Sequence, residues 1–354
     1  MKRRTLVTGG CGFIGSALTR RLVADGRDVL NLDALTYAAS PEAVAECATS
    51  GRYAFRRADI CDADAVSEAL AAFRPDGIVH CAAETHVDRS IDAPEAFVRT
   101  NALGTERLLS ATLAHWRRLP PDERESFRFV QVSTDEVFGA LGPDDPPFTA
   151  ASRYAPRSPY AASKAAGDHI AEAFRATFGL PTLTVHGCNA YGPWQAPEKL
   201  APLTIARLRA GEPVELYGDG RQRRDWLFVD DVAEALERAL DRGAPGDRFL
   251  IAGGAERENR EMVGLICDLV DARLGPLPGG ARRRTLIRRV ADRPGHDFRY
   301  ALDDAATRAA LGWTPRVGFE QGLAATVDWC LQNAEWLDSA SLRLGRGRRG
   351  LGGG

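Results

Sequence analysis

The sequence predicts an α/β fold in which a doubly wound parallel sheet is followed by a smaller C-terminal α/β lobe. Short β-rich runs alternate with helical stretches as far as residue 186, a pattern typical of strand–helix–strand units. A glycine-rich turn joins the first strand to the first helix. Beyond residue 187 the elements become less regular and are separated by segments rich in Pro and Gly. These patterns favour one layered domain and one smaller lobe.

The elements of the first domain follow from hydrophobic periodicity. Its predicted strands are residues 5–8, 28–32, 53–58, 77–81, 127–133 and 183–186. Its predicted helices are residues 13–25, 63–73, about 93–119 and 159–178. Because helices connect successive strands, the strands run parallel and the helices cover both faces of the sheet. We expect residues 1–186, joined by part of 226–250, to form this domain.

The second half predicts a lobe over residues 187–338. Its predicted helices are residues 203–210, 232–241 and 260–272. A strand at 214–217 and a charged loop at 221–228 that leads into a further strand lie between them. The chain ends in GRGRRGLGGG, which contains too few apolar residues to bury a core. Residues 339–354 are therefore predicted to be a disordered tail.

Composition excludes several classes of function. The chain has 354 residues with 46 basic and 48 acidic side chains, a balance that argues against a nucleic-acid binder. Apolar runs fall short of the roughly 20 residues of a membrane span. The seven cysteines form no CxxC pair and no zinc-like spacing, so we expect reduced thiols, no metal site and a cytoplasmic location.

A dinucleotide site is predicted by TLVTGGCGFIG, which carries Gly9, Gly12 and Gly15 between a strand and a helix. Glycines at this spacing allow a tight turn, close approach of the backbone to a pyrophosphate, and close helix–strand packing, as in Rossmann domains. Asp33 ends the second strand, where a carboxylate suits the ribose hydroxyls of NAD and repels the extra phosphate of NADP. The alternative is a purely structural glycine turn.

A redox pair is predicted at the start of the long helix, where Tyr160 and Lys164 are four residues apart and face one side. A nearby ammonium favours the phenolate and is expected to bring the pKa of Tyr160 closer to neutral. Such a Tyr can take a proton from a substrate hydroxyl while a hydride leaves the adjacent carbon. Lys164 is one of only three lysines in the chain. The alternative is a buried Tyr beside a solvated Lys.

An acid–base pair is predicted where strand 127–133 ends in STDEVFG. Thr134, Asp135 and Glu136 would then lie at the carboxyl edge of the sheet, where ligands bind. Adjacent carboxyl groups can titrate apart, so that one acts as an acid and the other as a base. Neighbouring side chains of an extended segment point to opposite sides, so loop geometry must bring both to the substrate. The alternative is that Asp135 caps a turn and Glu136 is solvated.

These motifs resemble the extended short-chain dehydrogenase/reductase family, and further segments resemble its dTDP-glucose 4,6-dehydratase branch. The resemblance covers about residues 3–338. Its matching segments are STDEVFG, HCAAETHVDRSI, SPYAASKAAGDH, PEKLAPL, RRDWLFVDD, ADRPGHDFRY and LGWTP. STDEVFG, PEKLAPL and the DRPGH run are the specific ones, whereas the glycine loop and the Tyr/Lys pair are shared by the whole family.

The resemblance implies a dehydration with internal redox chemistry and bound NAD. Tyr160 would take the proton of the hydroxyl on carbon 4, with Thr134 holding that oxygen, as a hydride passes to NAD. Glu136 would remove the proton on carbon 5, which the new ketone acidifies. Asp135 would protonate the hydroxyl leaving carbon 6, and return of the hydride would give a 4-keto-6-deoxy sugar.

The resemblance also implies two sets of binding residues and a homodimer built through helices of each subunit. The NAD site would contain Gly9, Gly12, Phe13, Ile14, Gly15, Asp33, Leu35, Thr36, Asp59, Ile60, Cys81, Ala82, Ala83, Thr100, Tyr160 and Lys164. The nucleotide-sugar site would contain Thr85, Thr134, Asn189, Lys199, Leu200, Tyr217, Arg224, Arg293 and His296. For Arg224 the alternative is an ion pair with Asp225 or Asp230.

Four positions depart from the family pattern. Ala190 stands where a second asparagine touches the cofactor, and Ala255 where an asparagine reaches the nucleotide, which weakens the assignment of the base as thymine. Cys188 replaces a common serine. Phe138 replaces a tyrosine and is expected to change only packing.

Four alternatives to a dTDP-glucose dehydratase stay open at this point. A UDP-sugar 4-epimerase or a UDP-glucuronate decarboxylase needs the Tyr/Lys pair but not the adjacent acid and base. A UDP-glucose 4,6-dehydratase would need both. A non-catalytic NAD-binding regulatory protein commonly lacks the Tyr or the Lys, and this chain has both.

Overall fold

The computed structural model describes residues 4–344. In chain order its strands are β1 (Arg4–Thr8), β2 (Asp28–Asp33), β3 (Tyr53–Arg57), β4 (Gly77–His80), β5 (Arg128–Thr134), β6 (Thr182–Gly187), β7 (Asn189–Tyr191), β8 (Val214–Tyr217), β9 (Arg223–Phe228), β10 (Arg248–Ile251), β11 (Glu256–Glu258) and β12 (Ile287–Val290). In chain order its helices are α1 (Phe13–Ala24), α2 (Ala63–Phe73), α3 (Val87–Asp92), α4 (Pro94–Phe97), α5 (Thr105–Trp116), α6 (Pro121–Ser126), α7 (Pro159–Phe178), α8 (Leu200–Ala210), α9 (Val229–Arg242), α10 (Asn259–Leu274), α11 (Ala305–Leu311), α12 (Phe319–Gln332) and α13 (Ala334–Leu344).

Seven parallel strands form the central sheet in the order β3-β2-β1-β4-β5-β6-β10. The chain runs outward in one direction from β1 to β3 and in the other from β4 to β10. The change of direction between β1 and β4 opens a crevice at the carboxyl ends of the strands, which is where open α/β sheets bind ligands. The predicted doubly wound fold is confirmed.

Both faces of the sheet are covered because alternate side chains of β1 point to opposite sides. Leu6 packs in a core cluster with Leu70 of α2 and Leu108 of α5. Val7 packs in a second cluster with Leu18 of α1 and Leu236 of α9. A strand that is apolar at successive positions is therefore buried on both faces.

A third core cluster lies beyond the central sheet, among α8, α10 and α12, with Leu208, Ile266 and Val327 as members. Two small sheets accompany it, in the orders β11-β9-β7 and β12-β8. The chain returns to the central sheet through α9 and β10. The sequence analysis predicts no strand at the position of β10. The domain boundaries remain a prediction.

The prediction of a single helix over about residues 93–119 is wrong. The structure divides it into α4, a π-helical segment (Val98–Gly104) and α5. A Cβ atom at Gly167 of α7 would lie 2.7 Å from the Asn101 carbonyl oxygen, so the widened turn passes in backbone contact with α7. Widened turns of this kind are frequent at functional sites.

The predicted tail is also corrected at its start. Residues 339–344 belong to α13, which ends at Leu344, and the rest of the expected tail lies outside the described residues. Within residues 4–344, every helix is too short or too polar to cross a lipid bilayer.

Candidate active site

The glycine loop forms a tight turn between β1 and α1. Gly9 has a φ of +68°, and a side chain there would meet the backbone of Ala82 at 2.7 Å. A Cβ atom at Gly15 would lie 2.1 Å from the Gly9 carbonyl oxygen, so the loop closes onto the first turn of α1. Helix α1 begins after Gly12 with no acidic residue in its first turn. Its free backbone N–H groups therefore suit a pyrophosphate.

Asp33 lies at the end of β2 beside this loop, and only 6% of its surface is exposed. One carboxylate oxygen accepts a hydrogen bond from the Cys11 backbone N–H at 2.9 Å and the other accepts one from Leu35 at 2.7 Å. Each oxygen keeps a second lone pair, so the carboxylate can still accept bonds from ribose hydroxyls. The residues present thus fit NAD.

The other predicted NAD residues follow the carboxyl ends of neighbouring strands. Thr36 follows β2, Asp59 and Ile60 follow β3, and Cys81, Ala82 and Ala83 follow β4. Phe13 and Ile14 open α1, and Thr100 lies in the π-helical segment. The parallel sheet therefore brings this predicted set to one edge.

The end of β5 turns at once into a short 3₁₀ helix, Asp135–Phe138. The Thr134 hydroxyl caps it by accepting a bond from the Glu136 backbone N–H at 3.3 Å. The same hydroxyl donates to Asp135 Oδ1 at 3.2 Å. This turn ends the strict alternation of side chains along β5 immediately before the two carboxyl groups.

The two carboxyl groups differ in environment. Burial, and then the charge of Glu136, raise the pKa of Asp135 to about 8. Asp135 Oδ2 is buried without a hydrogen-bond partner among the described residues. Burial also raises the pKa of Glu136, but Arg293, Arg224 and Lys199 oppose that effect. Burial and Glu136 thus favour a protonated Asp135, whereas the three cations favour the ionised form of Glu136.

Tyr160 and Lys164 are both buried on α7. Thr134 is close enough to the Tyr160 phenol to lower its pKa, so the two predicted carbon-4 groups are neighbours. Lys164 Nζ donates to the Val132 carbonyl oxygen at 2.7 Å. The expected lowering of the Tyr160 pKa is wrong for this chain, because burial and the carboxyl groups of Glu136 and Asp135 raise it.

A cavity of about 750 Å³ lies beside the acid–base pair, and Glu136 forms part of its wall. Eight of the nine predicted nucleotide-sugar residues line it: Thr85, Asn189, Lys199, Leu200, Tyr217, Arg224, Arg293 and His296. Thr134, the ninth, does not line the cavity, and neither does Asp135; both directly precede Glu136, which does. Segments far apart in the sequence thus meet at one volume large enough for a nucleotide sugar.

Two of the cations in the cavity wall are held by backbone oxygens. Lys199 Nζ donates to the Thr85 carbonyl oxygen at 2.7 Å. Arg224 donates to the Asp297 carbonyl oxygen at 2.9 Å, and its guanidinium lies 4.3 Å from the Tyr300 ring centre. The alternative of an ion pair from Arg224 to Asp225 or Asp230 is not what the structure shows. Asp225 instead accepts bonds from the backbone of residues 253–255.

Sequence reasoning missed Asp88, a buried residue of α3. Its carboxylate accepts a hydrogen bond from Arg293 at 2.6 Å and one from Tyr217 at 2.9 Å. The signal was present in the sequence, since Asp88 lies three residues after Thr85 in the HCAAETHVDRSI segment. Glu198 and Tyr300, which also line the cavity, were missed as well.

The departures from the family pattern have simple structural settings. Phe138 is 2% exposed and stacks on Phe148 with ring centres 5.2 Å apart, so it is a packing residue as expected. Cys188 is buried, and all seven cysteines are free thiols. Ala255 is held through its backbone N–H by Asp225 at 2.6 Å.

Comparisons with known proteins agree on one group of relatives. A family profile described as GDP-mannose 4,6 dehydratase matches residues 6–326. The chain is 48% identical over 336 residues to the dTDP-glucose 4,6-dehydratase of Neisseria meningitidis, which covers 94% of this chain and 95% of the relative. It is 46% identical to dTDP-glucose 4,6-dehydratase 1 of Escherichia coli, with 95% of each chain covered.

The fold of this chain is similar to solved structures both of such dehydratases and of a different enzyme. The dTDP-glucose 4,6-dehydratase DesIV of Streptomyces venezuelae, solved with NAD bound, superposes with a TM-score of 0.87 at 40% identity and covers 96% of this chain and 100% of its own. The UDP-glucose 4-epimerase of Thermus thermophilus, also solved with NAD, reaches 0.81 at 31% identity and covers 93% and 99%. Fold alone therefore does not separate dehydration from epimerisation.

Proposed function

The chain belongs to the dTDP-glucose 4,6-dehydratase family, and we propose that it converts dTDP-glucose to dTDP-4-keto-6-deoxyglucose with NAD as a tightly bound cofactor. The resemblance inferred from the sequence is thereby confirmed. The observation that carries the reaction type is Asp135, a buried carboxyl group beside Glu136. Its pKa is raised to about 8, and one of its oxygens has no hydrogen-bond partner within residues 4–344. An epimerase has no use for such an acid.

The cofactor would be held by the glycine loop at its pyrophosphate and by Asp33 at its adenosine ribose. NAD supplies the hydride acceptor for carbon 4 and the hydride donor for carbon 6. Because the two transfers cancel, the reaction consumes no external oxidant. The Asp33 carboxylate would repel a 2′-phosphate, which favours NAD over NADP.

Tyr160 is the base for the hydroxyl on carbon 4. Thr134 neighbours the phenol and would hold the same substrate oxygen, which would orient the O–H for proton transfer. Lys164 lies one helical turn from Tyr160 and brings a positive charge to the buried site. Its charge favours the phenolate that the step requires, against the burial that disfavours it.

Glu136 and Asp135 carry the elimination. Once carbon 4 is a ketone, the ionised Glu136 takes the proton of carbon 5, and the electron pair forms the carbon 5–carbon 6 double bond. The carbon 6–oxygen bond breaks as Asp135 gives its proton to the departing hydroxyl, which leaves as water. The hydride then adds to carbon 6, and Glu136 returns a proton to carbon 5.

The cavity would bind the nucleotide diphosphate through Arg293, Arg224 and Lys199. A forked guanidinium suits two phosphate oxygens at once. Lys199 gives a third positive charge. Burial lowers the pKa of its ammonium group, whereas the neighbouring Glu198 and Glu136 raise it. These groups stand around Glu136, so substrate binding and base positioning are coupled.

We also propose a homodimer in a reducing compartment, the cytoplasm. Val98 is 55% exposed, Leu103 is 45% exposed and Phe178 is 42% exposed, all in or beside the helices that flank the active site. Covering such apolar side chains by a second copy would stabilise an isologous pair. Seven free thiols suit a reducing compartment. A monomer in sedimentation at micromolar concentration would contradict the dimer.

The test is product analysis on the purified enzyme with dTDP-, UDP-, CDP- and GDP-glucose and no added NAD. We expect a 4-keto-6-deoxy product, formed with the highest kcat/KM from dTDP-glucose. Equal turnover of UDP-glucose would support a UDP-glucose dehydratase, and an epimerised hexose that keeps its carbon-6 hydroxyl would support an epimerase.

A further inference from the structure

A buried carboxylate on α7 lies outside the roles assigned so far. Asp168 is four residues after Lys164, which is itself four residues after Tyr160, so the three side chains share one face of the helix. Asp168 is 3% exposed. A carboxylate removed from water to this degree is costly unless other groups compensate its charge.

Two hydrogen bonds to Asp168 come from strand β5. One carboxylate oxygen accepts a bond from the Ser133 hydroxyl at 2.5 Å, and the other accepts one from Gln131 Nε2 at 3.3 Å. Ser133 immediately precedes Thr134. The Asp168 carboxylate therefore joins α7, which carries Tyr160, to the end of the strand that carries the acid–base pair.

The remaining neighbours of Asp168 come from a loop and from β6. The Tyr154 hydroxyl donates to the carboxylate at 3.1 Å and lies 2.6 Å from His186 Nε2. His186 Nε2 lies 3.5 Å from the same carboxylate oxygen. The Arg248 guanidinium stands 5.0 Å from the centre of the Tyr154 ring.

The titratable groups around Lys164 leave Asp168 as its negative neighbour. His80, the last residue of β4, is neutral because burial lowers its pKa to about 3. The thiol of Cys81, which follows β4, is protonated because burial raises its pKa to about 12. Burial lowers the pKa of Lys164, and Asp168 and then Cys81 oppose this. At neutral pH the countercharge for the buried ammonium is the Asp168 carboxylate.

We propose that Asp168 is a positioning residue for the dehydration: its carboxylate clamps the end of β5 to α7 and places a buried negative charge one helical turn from Lys164. The inference rests on the proposed function, since it concerns the same catalytic groups. Through the clamp, Asp168 sets the position of Thr134 relative to Tyr160. Through the charge, it favours the ammonium form of Lys164, while its direct effect on the Tyr160 phenol is opposite and raises that pKa.

A direct test uses the scarcity of lysine in this chain. With only Lys2, Lys164 and Lys199 present, side-chain-labelled lysine gives three NMR signals. Asp168→Asn is expected to lower the titration midpoint of the Lys164 signal by about one pH unit or more. Lys199 is expected to keep its midpoint. An unshifted Lys164 midpoint would overturn the charge role, whether or not the enzyme is a dehydratase.

Kinetics test the positioning role on the intact holoenzyme with dTDP-glucose. Asp168→Asn is expected to lower kcat at least tenfold while KM changes less than twofold, and to move the alkaline limb of the kcat profile to lower pH. Ser133→Ala keeps the charge and removes one bond, so we expect a smaller loss of kcat with an unshifted Lys164 midpoint. Ser133→Ala also serves if Asp168→Asn does not fold, and wild-type kcat in it would overturn the clamp.

The matched control is Glu172→Gln, one turn further along α7. Glu172 accepts hydrogen bonds from Arg175 at the surface. Its replacement by Gln is expected to leave kcat and the titration midpoint of Lys164 unchanged. A tenfold loss of kcat in this control would assign the effect to helix α7 in general and overturn the specific role of Asp168. If the wild-type enzyme forms no 4-keto-6-deoxy product, the proposed function fails instead, and the NMR result still stands.

Discussion

Arg293 donates a hydrogen bond to the Asp88 carboxylate at 2.6 Å, across 205 positions of sequence. The second oxygen of Asp88 accepts a bond from Tyr217 at 2.9 Å. Burial raises the pKa of Asp88, but Arg293 and the other neighbouring groups lower it by more. The net pKa is therefore below its usual value, and the carboxylate stays charged. One side chain of α3 thus fixes two groups of the nucleotide-sugar cavity before any ligand arrives, which reduces the ordering cost of binding.

Asp88→Asn is therefore expected to weaken substrate binding more than chemistry. Loss of the charge frees Arg293, so KM for dTDP-glucose should rise about tenfold while kcat falls by less than threefold. Steady-state kinetics measure both values. Asp144→Asn, at an exposed position, is the control and should leave KM unchanged. A wild-type KM in Asp88→Asn would show that Arg293 needs no partner to bind the diphosphate.

Glu136→Gln is expected to separate the redox step from the elimination. Tyr160 and NAD remain, so the nicotinamide should still be reduced when dTDP-glucose is added. Removal of the base should slow loss of the carbon-5 hydrogen by about 10²- to 10⁴-fold. Single-turnover absorbance follows reduction, and mass spectrometry in deuterated water follows exchange at carbon 5. Exchange at the wild-type rate would falsify the role of Glu136.

Asp135→Asn is expected to stop the reaction one step later. Glu136 can still take the carbon-5 proton, so deuterium should enter that position. Departure of the carbon-6 hydroxyl lacks its proton donor and should slow by a similar factor. A 4-keto sugar that keeps its carbon-6 hydroxyl should accumulate in quenched samples. Prompt formation of the 6-deoxy product would instead assign the acid to another residue.

The features predicted from sequence are those encoded locally. The glycine loop, Asp33 and the end of β5 each lie within one strand–turn–helix unit, so spacing alone indicated their place at the edge of the sheet. The family resemblance supplied the residues of the cavity, which come from separate segments and share no local pattern.

The features that escaped prediction depend on tertiary contacts. Asp88 shows its role only through Tyr217 and Arg293, which are 129 and 205 positions away. The pKa of Tyr160 rises because of burial and nearby carboxyl groups, which a local Tyr–Lys spacing cannot reveal. The π-helical segment lies in backbone contact with Gly167, a residue on a different helix.

Gly15→Ala is expected to impair NAD binding. Its Cβ atom would lie 2.1 Å from the Gly9 carbonyl oxygen, a backbone atom that can move only if the loop opens. We expect the affinity for NAD to fall at least tenfold, measured by calorimetry on protein stripped of cofactor, and the melting temperature to fall. Gly318→Ala, where a Cβ atom meets nothing within 4 Å, is the control. Equal NAD affinity in the two variants would contradict the packing role of Gly15.

The stability of the protein should decrease with rising pH because of Asp135. Its pKa is raised from 3.8 to about 8 in the folded chain, so between these values the native state holds a proton that the unfolded state has lost. The stabilising contribution is therefore complete below the lower pKa and is lost as pH rises toward the upper one.

Asp135→Asn has no proton to lose at this position. Its free energy of unfolding should equal that of the wild type near pH 4 and exceed it by roughly 1–3 kcal/mol near pH 8. Urea unfolding across this range, at constant cofactor content, measures the difference. Parallel curves for the two proteins would mean that Asp135 is ionised in the folded state and cannot be the acid.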